Sequence, residues 1–192
     1  QLMSEYPLPY QSTDLTGQVA FVTGTTAGLG KRFAQVLAAC GAKVIVTGRR
    51  VERLEALSAE INASGGQAAP VAVDMTDRSS IRNALKAAED LFGTVTILVN
   101  NAGIPDAQRA VKMDDELMDA VFETNLIGPW VLSVEVAKRL IAAERPGRIV
   151  NIASIAAFNT TAQSAATLYS TTKSAVVRMT ESHAVEWSRY PI

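Results

Sequence analysis

The sequence has few of the residues that mark disulfide-rich proteins, thiol enzymes and metalloproteins. Its 192 residues include one cysteine, Cys40, which rules out a framework of internal disulfides. Cys40 follows apolar residues on a predicted helix and has no basic partner in sequence, so we expect a buried, unreactive thiol. There is one histidine, His183, and no cluster of histidine, cysteine and carboxylate residues at metal-ligand spacing. No metal site is therefore predicted.

Charge and hydropathy exclude further classes. Eighteen Lys and Arg residues against nineteen Asp and Glu residues give a formal net charge of −1. This balance offers no basic surface for nucleic acid or an anionic membrane. No apolar run approaches the roughly 18 residues that a membrane span needs, and the two prolines in residues 1–11 are unlike a signal peptide. We expect a cytoplasmic protein without nucleic-acid or membrane partners.

The composition instead fits one folded domain. Hydrophobic residues make up 48% of the chain and charged residues 19%, which argues against disorder. Short apolar runs alternate with amphipathic stretches, as expected for strands buried on both faces and for helices that cover them. The pattern predicts an α/β fold: a Rossmann-type, doubly wound parallel sheet with helices on both faces. The predicted strands are 19–22, 44–47, 69–73, 95–99 and 148–152.

Two helical regions have predicted ends or breaks. The first helix should run from about Lys31 to Cys40, with Gly41 as its stop. A longer helical region from Asp114 to about Glu144 contains Pro129, which should break it near residues 125–128. A polar Asn125 at such a break has a reason to be there, because freed backbone groups need partners.

Two further helices have apolar stripes that should face the sheet. The second helix, from Val51 to about Ala63, and the third helix both show the helical period. Asp77 or Ser79 is expected to cap the third helix. The predicted stripes are Val51, Leu54, Leu57 and Ile61 in the second helix, and Ile81, Leu85, Ala88 and Leu91 in the third.

A glycine-rich turn follows the first strand. Gly24, Gly28 and Gly30 lie between that strand and the first helix. Such a turn lets backbone N–H groups approach a phosphate, and the helix N-terminus adds a favourable dipole. The turn could also be only a tight connection, but its position between a strand and a helix favours a dinucleotide site.

The ends of the next strands supply candidate adenosine contacts. At the end of the second strand, Gly48 stands where an acidic residue would bind a ribose 2′-hydroxyl. Arg49 and Arg50 could instead pair with a 2′-phosphate, although both could be solvated residues that open the next helix. NADP is therefore favoured over NAD. Asp74 follows the third strand, where it could meet adenine or be an ordinary turn residue.

A tyrosine and a lysine lie four residues apart on the last predicted helix, which continues to about Ser188. Tyr169 and Lys173 would share one helix face, but such a pair alone is common on solvated helices. Ser154 follows the fifth strand, and the small residues 101–103 follow the fourth. Because the carboxyl ends of parallel strands meet at one sheet edge, these residues should converge there. His183 is ten residues beyond Lys173 and is interpreted as structural or exposed.

Together these motifs resemble the classical short-chain dehydrogenases/reductases, from about Gly17 to the last residue. The resemblance implies that residues 17–192 are a dinucleotide-binding catalytic domain and residues 1–16 an N-terminal arm. The Gly24–Gly28 interval of four resembles the classical group. The matching motifs are Thr23-Gly-x-x-x-Gly-x-Gly30, Asp74, Asn100-Asn-Ala-Gly103, Thr124-Asn125, Ile152-Ala-Ser154 and Tyr169-x-x-x-Lys173.

The resemblance implies an NAD(P)-dependent oxidoreductase that transfers hydride between nicotinamide and a secondary alcohol or ketone. Tyr169 would be the general acid/base, and the Lys173 ammonium would favour a phenolate that is otherwise scarce near neutrality. Lys173 would also bind the nicotinamide ribose. Ser154 would bind the substrate oxygen, and Asn125 would hold a water that links Lys173 to solvent.

The resemblance also assigns a set of cofactor contacts. Asp74 and Met75 would meet adenine, and Arg49 would favour NADP(H), with NAD(H) as the alternative cofactor. The assigned residues are Gly24, Thr26, Gly28, Leu29, Gly30, Arg49, Asp74, Met75, Asn101, Ala102, Gly103, Tyr169 and Lys173.

Two features differ from the usual family pattern. The separation of 15 residues between Ser154 and Tyr169 is slightly long, which indicates a short insertion within 158–164. Family members also continue past the position of Ile192 with two strands and a substrate loop, so the sheet and the substrate pocket are expected to lack those parts. The resemblance further implies a homodimer or homotetramer. Two alternatives remain: an NADP-binding sensor without turnover, and an inactive fragment that keeps the adenosine half-site.

Overall fold

Five parallel strands form the centre of the fold. The structure, a computed structural model, describes residues 12–106, 108–159 and 166–192. The strands are short and rich in β-branched residues, and most of their side chains are buried. Their bounds are β1 Val19–Val22, β2 Lys43–Gly48, β3 Gln67–Ala72, β4 Ile97–Asn100 and β5 Arg148–Asn151.

The strand order is β3-β2-β1-β4-β5, and every neighbouring pair is parallel. From β1 the chain adds β2 and β3 on one side of the sheet and then returns to add β4 and β5 on the other side. The strand order therefore changes direction between β1 and β4. Val22, at the end of β1, is in register with Val46 of β2 and Val99 of β4. The turns that follow these strands therefore start at one edge of the sheet. The predicted Rossmann-type fold class is confirmed.

Six α-helices in the described segments connect and cover the strands. Asp77 caps the third helix by accepting a hydrogen bond from the Ser79 backbone N–H at 2.8 Å, as one of the two predicted alternatives requires. Gly41 follows the first helix with φ +96°, which only glycine adopts easily. The helices are α1 Gly28–Ala39, α2 Val51–Ala63, α3 Arg78–Phe92, α4 Asp115–Phe122, α5 Gly128–Ala142 and α6 Thr167–Glu186.

The first helix begins earlier than predicted. It starts at Gly28 and not at Lys31, because the Lys31 N–H already donates to the Ala27 carbonyl at 3.4 Å. Gly28 and Gly30 thus belong to the first helical turn itself, whereas Gly24 precedes it. Backbone N–H groups in that turn have no intrahelical acceptor and remain available to a ligand.

Two hydrophobic cores lie on the two faces of the sheet. Phe21 and Ile45 point to the face covered by α3 and α5, whereas Val22 and Val46 point to the face covered by α1 and α2. This alternation explains the unbroken apolar runs of β1 and β2. β5 differs, since Val150 is 47% exposed and the strand pairs only with β4 among the described residues.

Three predicted burials are wrong. Val51 and Leu91 are exposed, because they occupy the ends of α2 and α3, where the helix surface no longer faces the sheet. The other stripe residues are buried as predicted. Cys40 is only half-buried, because it directly follows the last residue of α1.

The predicted break near Pro129 is present as a wide helical turn. Residues Glu123–Ile127 form a π-helical segment between α4 and α5. Pro129 has no N–H to offer the carbonyl four residues earlier, so the ordinary helical hydrogen bond cannot form there. The wide turn places Asn125, which is 1% exposed, toward the interior.

His183 belongs to the packing between α5 and α6. Its ring stacks on Trp187 with centroids 4.2 Å apart and lies 4.7 Å from the Trp130 ring. Burial lowers the pKa of His183, with Glu186 opposing the shift.

In the segments that the structure describes, no helix is long and apolar enough to cross a lipid bilayer.

The two leucines of α3 provide a matched test of this core. Leu85→Ala should lower the free energy of unfolding by about 2–5 kcal/mol, because Leu85 is fully buried and its loss leaves a cavity. Leu91→Ala on the same helix should change it by no more than about 0.5 kcal/mol, since Leu91 is exposed. Denaturant titrations of both variants measure the difference, and equal losses would contradict the assigned helix orientation.

Candidate active site

A cleft of about 630 Å³ lies at the edge of the sheet where β1, β2, β3 and β4 end. This volume is within the usual range for a small-molecule site. The turns after those four strands supply most of its lining, as the sheet topology requires. The predicted cofactor residues that line it are Gly24, Thr26, Leu29, Gly30, Arg49, Asp74, Met75, Asn101, Ala102 and Gly103.

Other residues complete the lining or lie outside it. Of the predicted cofactor residues, Gly28 is not in the lining; it is exposed and has φ +58°. Tyr169, Lys173 and Ser154 also lie outside the lining. Gly48 and Arg50, which the sequence placed at the adenosine end, also line the cleft. The remaining lining residues had no role predicted from sequence: Ala27, Val73, Thr76, Ile104, Ala120 and Thr124.

The glycine turn is in close contact with the residues that follow β4. A Cβ on Gly30 would overlap the Gly24 carbonyl, and it would stand 2.5 Å from Asn101 Nδ2. A Cβ on Gly24 would stand 3.0 Å from the Ala102 Cα. Only glycine permits this approach, and Gly24 also has φ +70°. The two turns therefore form one wall of the cleft.

Thr23 joins these two turns with hydrogen bonds. Its Oγ1 accepts from the backbone N–H groups of Asn101 and Ala102, both at 2.9 Å. In the opposite direction, Asn101 Nδ2 donates to the Thr23 and Gly24 carbonyls at 2.9 and 3.2 Å. Thr23 is fully buried. It was not assigned a role from sequence, because its partners are far away along the chain.

The adenosine end of the cleft contains both arginines. Arg49 is exposed at the cleft surface, and Arg50 donates from Nη2 to Thr26 Oγ1 at 2.6 Å. Arg50 also immediately precedes α2 as its capping residue. The interpretation of Arg50 as only a solvated residue is therefore incomplete, since its guanidinium contacts the glycine turn.

The turn after β3 is held by Asp74. Asp74 Oδ1 accepts from the Thr76 backbone N–H at 3.0 Å and from Thr76 Oγ1 at 2.8 Å. The Asp74 N–H donates to Ser80 Oγ at 3.0 Å, and Met75 is 6% exposed. These contacts fix the turn at the cleft wall where the sequence predicted the adenine contacts.

Tyr169 and Lys173 lie one turn apart in α6. Lys173 is 4% exposed, and its Nζ donates to the Ile152 carbonyl at 2.6 Å. The same Nζ is 5.7 Å from the centre of the Tyr169 ring. Burial lowers the pKa of Lys173. In the described part of the chain, Lys173 forms no salt bridge, so its charge is not compensated by a carboxylate.

Asn125 connects the helix break to the turn after β4. Its Oδ1 accepts from the Ile104 N–H at 2.8 Å, and its Nδ2 donates to the Ile104 carbonyl at 2.9 Å. Nδ2 also reaches Thr172 Oγ1 at 3.3 Å, next to Lys173. A Cβ on Gly103 would stand 3.4 Å from Asn125 Oδ1 and 3.6 Å from Lys173 Nζ. The cleft therefore borders Lys173 at Gly103.

Ser154 opens a short helical turn, Ile155–Ala157, after β5. Its Oγ accepts from the Ala156 N–H at 3.2 Å. Ser174 Oγ donates to the Ala157 carbonyl at 2.9 Å, which ties this turn to α6. The predicted insertion within 158–164 falls mostly on residues 160–165, which lie outside the described residues.

The sequence model of the family described as short chain dehydrogenase matches residues 18–192. The chain belongs to this family. It is an NAD(P)-dependent oxidoreductase that interconverts alcohols and ketones.

In the described segments, no group of three or more histidine, cysteine and carboxylate residues could hold a metal ion.

Individual relatives and structures agree with this assignment. Galactitol 2-dehydrogenase from Agrobacterium fabrum is 36% identical over 178 residues, covering 93% of this chain and 68% of that protein. The 3-oxoacyl-[acyl-carrier-protein] reductase of Aquifex aeolicus is 36% identical over 173 residues, covering 90% and 68%. A metagenomic short-chain oxidoreductase in complex with NADP superposes with a TM-score of 0.87 at 34% identity, covering 94% of this chain and 80% of that one.

The contact between the glycine turn and Asn101 can be tested by adding one methyl group. Gly30→Ala should weaken NADPH binding about tenfold or more, because the new Cβ overlaps the Gly24 carbonyl and forces the turn to shift. Gln35→Ala, further along the same helix, should bind NADPH normally. Titration of NADPH emission measures both affinities, and normal binding by Gly30→Ala would show that the turn tolerates a side chain.

Proposed function

We propose that this enzyme reduces ketones, or oxidises the matching secondary alcohols, with NADP(H) as the preferred cofactor. The observation that carries the proposal is the buried Lys173 ammonium beside the Tyr169 ring and next to the cleft at Gly103. A buried cation without a carboxylate partner costs stability, and such groups concentrate at functional sites. Among the described residues, its one protein acceptor is the Ile152 carbonyl.

The proposed chemistry divides between the cofactor and two side chains. When bound, the nicotinamide would supply or accept the hydride. Tyr169 would give its phenolic proton to the ketone oxygen during reduction, or take the hydroxyl proton during oxidation. The Lys173 ammonium lies close enough to the Tyr169 ring to stabilise the phenolate form. Its remaining N–H groups would bind hydroxyls of the nicotinamide ribose.

Two further residues would complete the catalytic group. We propose that the Ser154 hydroxyl binds the substrate oxygen and stabilises the charge that develops on it. We also propose that Asn125 supports a water that connects Lys173 to solvent. Asn125 already uses its side-chain oxygen and nitrogen on Ile104 and Thr172, so it also holds the cleft wall in place.

The cofactor preference rests on charge at the adenosine end of the cleft. Arg49 and Arg50 both line the cleft, and the contact of Arg50 with Thr26 places its guanidinium against the glycine turn. Gly48 precedes them where an acidic side chain would repel a phosphate. A 2′-phosphate would therefore meet two cations and no nearby anion from this turn.

The substrate should be sought among small alcohols and ketones. The relatives named above act on galactitol and on 3-oxoacyl groups, so galactitol and acetoacetyl-CoA are reasonable first probes. We expect a cytoplasmic homodimer or homotetramer. Trp130 on α5 is 47% exposed and Val185 on α6 is 76% exposed, which leaves apolar surface for a second copy.

The general acid/base can be tested by removing one oxygen atom. Tyr169→Phe should abolish turnover of galactitol and acetoacetyl-CoA while NADPH still binds, because the ring remains and only the exchangeable proton is lost. Tyr190→Phe, outside the cleft, is the matched control and should keep its activity. Unchanged turnover in Tyr169→Phe would refute the mechanism. Loss of NADPH binding as well would assign Tyr169 to the cofactor site only.

The two arginines can be tested by comparing both cofactors. Arg49→Ala and Arg50→Ala should each weaken NADPH binding about tenfold or more, because each removes a charged hydrogen-bond donor to the 2′-phosphate. NADH binding should change much less, since NADH has no phosphate there. Arg53→Ala, one helical turn further on and outside the cleft lining, serves as the control for general charge effects. Equal losses of affinity for NADPH and NADH would show that these arginines do not determine the cofactor preference.

A further inference from the structure

Among the described residues next to it in sequence, the helix that carries Tyr169 and Lys173 has no side chain that caps its first turn. α6 begins at Thr167, and the residue in the capping position, Ala166, has no side chain that can accept a hydrogen bond. The first intrahelical bond into this turn runs from the Ser170 N–H to the Ala166 carbonyl at 2.9 Å. The N–H groups before Ser170 therefore need acceptors from elsewhere.

Asp106 supplies one of those acceptors from a distant part of the chain. Its Oδ2 accepts from the Leu168 N–H at 2.9 Å, across a separation of 62 residues. Leu168 is the second residue of α6, the position that a local capping side chain would normally reach. Asp106 is 4% exposed, so this bond between a carboxylate and a backbone N–H is shielded from water.

The segment that carries Asp106 is itself fixed to the cofactor cleft. Its first residues, Asn101 and Ala102, are bonded to Thr23 beside the glycine turn. Two residues before Asp106, the backbone of Ile104 is bonded in both directions by Asn125. Residues 101–106 thus connect the cleft wall to the first turn of α6 through consecutive, short hydrogen bonds.

We propose that Asp106 is a positioning residue that holds the first turn of α6, and with it Tyr169, in place against the cofactor cleft. Tyr169 directly follows Leu168, so movement of this turn displaces the phenol. Lys173 lies one turn deeper and has its own anchor at the Ile152 carbonyl. Loss of Asp106 should therefore disturb the tyrosine more than the lysine.

This inference rests on the proposed role of Tyr169. It predicts that kcat changes while cofactor affinity and KM do not. A misplaced acid/base slows the chemical step, and a displacement of about 1 Å can cost on the order of a hundredfold. Most of the proposed cofactor contacts lie in the cleft lining, which does not include Tyr169, so NADPH binding should change little. Asp106→Ala should therefore lower kcat about tenfold to a hundredfold, while the NADPH dissociation constant and the substrate KM stay close to those of the unmodified enzyme.

Three variants separate positioning from general stability. Asp106→Asn keeps an oxygen in the same place and should restore most of kcat. Asp106→Ala combined with Ala166→Asp provides a local cap for the same N–H and should also restore it. Asp114→Ala removes a local, exposed carboxylate cap from α4, where Asp114 Oδ1 accepts from the Leu117 N–H at 2.8 Å, and should leave kcat unchanged.

The experiment compares kcat, KM and NADPH affinity of these variants, with galactitol and acetoacetyl-CoA as the substrate probes. Hydrogen exchange of residues 168–173 is measured in parallel, so that a result exists even if neither probe turns over. Asp106→Ala should lose protection there, and Asp114→Ala should keep it. The inference is supported if Asp106→Asn and the double variant recover what Asp106→Ala has lost.

Several results would overturn the inference. If Asp106→Ala kept its kcat and its exchange protection, as Asp114→Ala is expected to do, the cap would have no role in positioning Tyr169. An unfolded Asp106→Ala that neither Asp106→Asn nor the double variant restores would assign Asp106 to folding alone. Failure of the proposed function is recognised separately, because Tyr169→Phe would then remain active whatever the Asp106 variants do.

Discussion

The close backbone contact between the glycine turn and the residues after β4 is the constraint on which the site depends. A Cβ on Gly24 would stand 3.0 Å from the Ala102 Cα, and Gly30 has no room for a side chain beside the Gly24 carbonyl and the Asn101 side chain. Because these backbones touch, the loops after β1 and β4 form one rigid wall, and Thr23 bonds them together. The parallel register of β1 with its two neighbours brings these loops to the same edge in the first place.

The sequence was sufficient to predict the architecture but not all of its details. Strand positions followed from apolar runs, and the broken helix followed from Pro129, because both depend on neighbours along the chain. Helix ends were less accurate: Val51 and Leu91 fit the helical period but lie where the helices no longer face the sheet. Periodicity describes a helix surface, and it carries no information on where the opposing layer stops.

The same distinction applies to the candidate site. The residues predicted around the cleft carry recognisable motifs, and the structure brings ten of the predicted cofactor residues to one cleft lining. Thr23 and Asp106 were not assigned roles from sequence, because their significance lies in hydrogen bonds to distant residues. Arg50 was a candidate for the 2′-phosphate, but its bond to Thr26 was not predicted. A bond across 62 residues leaves no periodic pattern and no local motif. The catalytic roles of Asn125, Ser154, Tyr169 and Lys173 remain predictions.

The contacts of His183 with Trp130 and Trp187 determine what the protein's intrinsic fluorescence reports. These are the two tryptophans of the sequence, and both contact the same imidazole at the junction of α5 and α6. Neither lines the cofactor cleft. Tryptophan emission therefore reports directly on the packing at the junction of these two helices and not on the glycine turn. Far-ultraviolet circular dichroism, which senses helices throughout the domain, provides the complementary signal.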